Sequence, residues 1–216
     1  MKRIGKILLP IIAVVLSGCM RVNLEVEMRK DGTAAMTARY GMDTAYASDE
    51  DFGEDGREPI HFTVDGTEYV GYEEKEEYQT YEELTKSLTE LNDDGTSLFT
   101  STDIRQEKGL FATKYIFDAA SAPLVGDSGE YGEISKIIVV DFTLKMPGKV
   151  KNVTGGEILE DGTVKFLFAP EAGNTFHAES SVPNVISILI AVGIAIAIIA
   201  AVLAVTSKKR EQQVDF

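Results

Sequence analysis

One cysteine in 216 residues, Cys19, leaves no thiol pair for an internal disulfide. An exported domain built from this chain therefore relies on its apolar core and not on cross-links. Tryptophan is absent and only two histidines occur, His61 and His177. With no second cysteine beside them, a zinc site would have to recruit carboxylates, so the expectation is no metal and no cofactor. No Gly-x-Ser-x-Gly turn and no glycine-rich phosphate loop is present, and the chain is expected to be no enzyme, with no catalytic residue to name. Basic residues are also scarce, 21 against 35 acidic ones, for a net charge of −14. The acidic residues crowd between Asp43 and Asp94, where only Arg57, Lys75 and Lys86 answer them. A face of that sign excludes nucleic acid as a partner and repels anionic headgroups. The run from Asp49 to Gly56 invites a calcium reading, but with Asp55 and Gly56 in the fifth and sixth places of an EF-hand loop, the twelfth falls on Phe62.

What the chain does have is an apolar segment at each end. Lys2, Arg3 and Lys6 precede apolar Ile7 to Leu16 and then small residues, the three parts of a secretory signal and too short to span a bilayer. Near the other end, Val185 to Val205 carries no charge, and at about 1.5 Å per residue it reaches roughly 31 Å, enough for a hydrocarbon core. Lys208, Lys209 and Arg210 follow it, with no basic residue near Asn184, which predicts a transmembrane helix with a cytoplasmic tail. Within that helix Gly193, Ala197 and Ala201 recur at a spacing of four, a candidate surface for close helix packing. The expected organisation is a signal peptide over 1–18, an extracytoplasmic domain over 19–183, a membrane helix over 184–206 and a tail over 207–216. A short tether at each end predicts that both termini of the domain sit at one membrane-facing edge, with Arg21, Lys145, Lys149 and Lys151 turned toward the headgroups.

Between the anchors the apolar period is mostly two, the mark of half-buried strands. Val22, Leu24, Val26 and Met28 alternate with polar neighbours, Asp31-Gly32-Thr33 turns the chain, and Ala34 to Tyr40 returns it. Asp-Gly pairs recur at Asp65, Asp94 and Asp161, where positive φ angles suit tight turns. Thr80 and Glu83 form a capping box before Leu84, Leu88 and Leu91, which predicts one helix lying on a sheet face. Hairpins follow around Lys108-Gly109 and Asp161-Gly162, and Ile138, Val140, Phe142, Leu144 and Met146 form the most apolar strand, stopped by Pro147-Gly148. Residues 119–132 read as a loop, and Phe176, Ala178 and Ser180 as a short last strand. The fold class expected is α+β, a mainly antiparallel curved sheet of hairpins with one clear helix, plus the C-terminal transmembrane helix.

Two resemblances add to this. Leu16-Ser17-Gly18-Cys19 resembles the lipobox of bacterial lipoproteins, which implies that the signal is cut before Cys19 and that its sulfur carries a diacylglyceryl group. An ordinary signal peptide, or an uncleaved anchor with an incidental cysteine, is the competing reading. The order of lipobox, first strand with Asp31-Gly32, the segment Phe142 to Val150 with Pro147-Gly148, the hairpin Asp161 to Phe166 and a C-terminal membrane helix resembles the LppM-domain lipoproteins. Phe166 stands where that family often has tryptophan. The resemblance implies an envelope protein and supplies no catalytic residue. The expected function is a non-enzymatic, membrane-anchored envelope lipoprotein that binds a lipid-like or envelope ligand or a protein partner. An apolar groove between sheet and helix would hold such a ligand, and a solid core is the alternative. A scaffold acting through Gly193, Ala197 and Ala201 is the second function. Membrane lipid and a membrane protein are the partners expected.

Overall fold

The computed structural model describes residues 19–52, 58–90, 99–123, 138–168 and 173–212. Leu16, Ser17 and Gly18 of the lipobox, the Asp94 turn and part of the acidic run lie outside them. Eleven strands are described: β1 (Met20–Met28), β2 (Ala34–Asp43), β3 (Ile60–Val64), β4 (Thr67–Tyr78), β5 (Ser101–Lys108), β6 (Ala112–Ser121), β7 (Ile138–Lys145), β8 (Lys149–Thr154), β9 (Gly156–Ile158), β10 (Val164–Leu167) and β11 (Asn174–Pro183). A 3-10 turn spans Asp49–Phe52, and two α-helices are α1 (Tyr81–Thr89) and α2 (Val185–Gln212). The class is α+β, as expected.

The single curved sheet expected from the sequence is instead two. A seven-stranded sheet runs in the order β3-β4-β2-β1-β7-β10-β9, and a four-stranded sheet in the order β5-β6-β11-β8. All pairings are antiparallel except β1 with β7, which run parallel with Leu24 opposite Phe142. The alternation of β1 decides the layering: Leu24, Val26 and Met28 are buried inward, while Glu25 and Glu27 point to the outer face. Inward residues of the smaller sheet, among them Tyr115, Phe117, Phe176 and Ala178, pack against them as one core. Helix α1 closes the core beside β5, β2 and β4, burying Tyr81, Leu84 and Leu88. Its start is the capping box: Thr80 Oγ1 accepts from the Glu83 amide at 3.1 Å, and Glu83 Oε2 accepts from the Gln79 amide at 2.8 Å.

The tight turns have the predicted chemistry. Gly32, Gly66 and Gly162 take φ of 95°, 85° and 86°, and Asp31 and Asp161 each accept a hydrogen bond from the amide two residues on. Two expected boundaries differ. Strand β6 takes up the first residues of the predicted loop, ending at Ser121, and β11 has 10 residues rather than a short tail, since the two pair along their whole length from Asn174–Ser121 to Pro183–Ala112.

The termini of the domain do not share one edge. Cys19 stands at the start of β1, whose far end is the Arg29–Thr33 turn. The carbonyl of Lys30 in that turn accepts from the Tyr115 hydroxyl, and the carbonyl of Pro147 accepts from Ser180 Oγ. These contacts place the Pro183 end of β11 beside the far end of β1. Strand β1 has 9 residues, so at about 3.3 Å each it separates Cys19 from the start of α2 by nearly 30 Å along the strand axis. A parallel β1–β7 pair produces this separation, and the sequence gives no sign of it.

Candidate functional site

Among the described residues, phenylalanine rings fill much of the space between the two sheets. Phe99, Phe117, Phe142, Phe166 and Phe176 are essentially inaccessible, and with Phe168 they form a continuous ring cluster whose centroids lie 4.7 to 6.4 Å apart. Phe142 and Leu144, from the most apolar strand expected in the sequence, are fully buried.

The concave surface lies on the other side of the large sheet. A cleft of about 400 Å³ is framed by outward residues of β1, β2 and β7, among them Glu25, Glu27, Thr37, Thr143 and Lys145, and roofed by Leu159, Asp161 and Thr163 of the β9–β10 turn. Strands β1 and β10 flank β7, and Val164 pairs with Leu144, so this turn hangs over the end of the sheet from which α2 departs. Its charges are mixed. Lys145 Nζ lies 3.8 Å from Glu27, Glu25 accepts from Arg39 at 2.6 Å, and Asp161 is held below the ordinary carboxylate range by hydrogen bonds from the Thr163 amide and hydroxyl. Hydroxyls, carboxylates and one lysine around a shallow space suit a polar, zwitterionic or hydroxylated group and not a hydrocarbon chain.

At the opposite end of the same outer face, Arg21 is buried and not turned to solvent. Its guanidinium donates to Asp141 and, at 2.6 Å, to Asp65, and lies 5.8 Å from the centre of the Tyr69 ring. Burial opposes its charge, but hydrogen bonds to Asp141, Tyr69 and Asp65 outweigh that cost and raise its pKa further. Lys165 Nζ approaches Asp141 at 3.5 Å. Gly41 and Gly71 face each other next to Arg21, and a Cβ at Gly41 would meet the Phe62 ring at 2.7 Å. Gly41 thus leaves room for Phe62, which stacks on Tyr69, while Gly71 is required by the close approach of the Tyr40 backbone.

Both histidines sit on strands with acidic neighbours. His61 Nε2 is 2.8 Å from Asp49 and its Nδ1 3.3 Å from Glu68, and the Asp49 contact raises its pKa above 6.5. His177 Nδ1 is 2.6 Å from Asp118. Among the described residues, no group of three or more His, Cys, Asp and Glu side chains is placed to hold a metal.

Of the residues singled out in the sequence, Cys19 is buried immediately before β1, its carbonyl accepting from the Asp43 amide. Gly193, Ala197 and Ala201 share one exposed face of α2, and a Cβ at Gly193 would meet nothing within 4 Å. Lys149 and Lys151 are exposed on β8. Helix α2 contains 19 residues, Val185–Leu203, apolar enough to cross a membrane by length and composition, none of them buried against the domain. It continues past the predicted end at 206 to Gln212. The cleft residues and Asn184 were not legible as a group. The alternation of β1 shows that Glu25 and Glu27 face outward, but only the pairing with β7 brings Lys145 beside them.

No protein-family model matches the chain, and no curated protein matches it. Among solved structures, the NMR structure of the folded domain of the Mycobacterium tuberculosis LppM protein is similar to it, with a TM-score of 0.45 and 15% identity over 78% of this chain and 92% of that one. At that identity and TM-score, nothing about ligand, partner or residue role passes from that protein to this chain.

Proposed function

We propose that the protein is a membrane-anchored envelope lipoprotein whose extracytoplasmic domain is a non-enzymatic binding module. The supporting observation is the junction at Asn184. A single residue separates β11 from the apolar helix, and it is bonded back into the domain through its amide to Phe111 O at 2.8 Å and through Nδ2 to Gly109 O at 2.9 Å. The domain is thus fixed on an apolar helix, with the polar cleft at the same end. A lipid-like ligand would present its headgroup to Glu27, Lys145 and Asp161 in that cleft. Cysteine labelling with an impermeant thiol reagent tests the arrangement. On intact protoplasts Asp51→Cys should react and Gln213→Cys should react only after lysis, while Cys19→Ser should leave an unprocessed precursor without fatty acid. The reverse labelling pattern would overturn the topology, and fatty-acid uptake in Cys19→Ser would overturn the lipidation.

The second reading, a scaffold acting through α2, is favoured by the open space around Gly193. Gly193→Leu in the full chain would keep insertion and weaken capture of a membrane partner if close helix contact is the function.

A further inference from the structure

Two of the three most exposed large apolar side chains of the described domain sit together at a hairpin tip. Leu110 is 71% and Phe111 53% exposed, in the turn between β5 and β6 where polar residues are the rule. Strand β6 is antiparallel to β11 and its first residue, Ala112, pairs with Pro183. Continuing backward from Ala112, the tip projects past the sheet in the direction in which β11 runs into α2. Asn184 clasps it there, holding the carbonyls of both Gly109 and Phe111. The apolar helix begins one residue later, at Val185. Lys108 adjoins the tip and Lys149 pairs with Ser181 close to Pro183. Neither forms an ion pair among the described residues, in a chain where acidic residues far outnumber basic ones.

We propose that the tip of the β5–β6 hairpin is an interfacial membrane wedge: Leu110 and Phe111 enter the headgroup boundary of the bilayer that α2 crosses, and Lys108 and Lys149 meet its phosphates. This rests on α2 being a membrane span. The occupant is phospholipid, because the tip cannot move more than a residue or two from the level at which the apolar helix starts. An aromatic ring and a leucine flanked by lysines is the composition that partitions into that boundary. The wedge holds the β5–β6 tip at the level of the headgroups beside the start of α2.

The absence of tryptophan makes the test direct. The full chain carrying Phe111→Trp, reconstituted into phosphatidylcholine vesicles with brominated acyl chains, should show blue-shifted emission and quenching relative to unbrominated vesicles. Ile194→Trp, inside α2, reports on the span itself. Quenching of both supports the wedge. Quenching at position 194 but not at 111 overturns the wedge and leaves the span standing, whereas quenching at neither overturns the span and the wedge with it. Asn184→Ala in the Phe111→Trp chain should reduce the quenching by freeing the tip, and an undiminished signal would overturn the clasp as what holds the tip at the interface.

Discussion

Arg21 shows how a residue can be visible in a sequence and its role not. Its place in the alternation of β1 correctly puts it on the outer face, and an arginine just after a cysteine expected to carry a lipid suggests a headgroup contact. The structure instead buries it against Asp141, a partner 120 positions away, with Asp65 of the β3–β4 turn brought over it and Tyr69 beside it. A buried ion pair is costly to break and is not costly to replace as a whole. Arg21→Met, which among the described residues leaves Asp141 with Lys165 alone at 3.5 Å, should destabilise the fold by about 3–5 kcal/mol. The double change Arg21→Met with Asp141→Leu should recover most of that loss. Urea denaturation of the four chains of the cycle measures both, and a double variant as unstable as the single one would show that the pair contributes net stability.

At the scale of elements, what could be read was local and what could not was long-range. The β1–β2 and β9–β10 hairpins announce themselves through Asp-Gly turns, and α1 through Thr80, Glu83 and its leucines, because hairpin register and helix capping are decided within a few residues. Strand β8 passed unnoticed, since Lys149 to Thr154 is an edge strand with a mostly exposed, polar pattern. The split into two sheets and the β1–β7 pair depend on which apolar faces meet, which alternation does not encode. The cleft inherits this: its floor comes from three strands and its roof from a fourth segment. The locally legible helix can be tested locally. Thr80→Ala removes the acceptor for the Glu83 amide and should cost about 1 kcal/mol, whereas Leu84→Ala, at a fully buried position, should cost about 2–5 kcal/mol. Thermal melts followed by circular dichroism would register both, and equal losses would mean that α1 is not seated in the core as described.

For the whole molecule, the separation of the two attachment points governs how the domain meets a membrane. Had Cys19 and Pro183 shared an edge, two anchors would only duplicate each other. With nearly 30 Å of β1 between them, a lipid on Cys19 and a spanning α2 together require the long axis of the strands to lie along the bilayer, while α2 alone lets the Cys19 end stand away from it. Tyr46 reports on that end, because its amide is bonded to Asp43 and the Asp43 amide to Cys19, and its side chain is exposed. A fluorophore on Tyr46→Cys should therefore transfer energy to a headgroup acceptor more efficiently in the lipidated full chain than in one exported through a non-lipoprotein signal with Cys19→Ser. The height difference expected, up to the length of β1, is large on the scale over which such transfer changes. Equal efficiencies would mean either that both forms lie flat, in which case high transfer is seen in each, or that Cys19 carries no membrane anchor, in which case it is low in each.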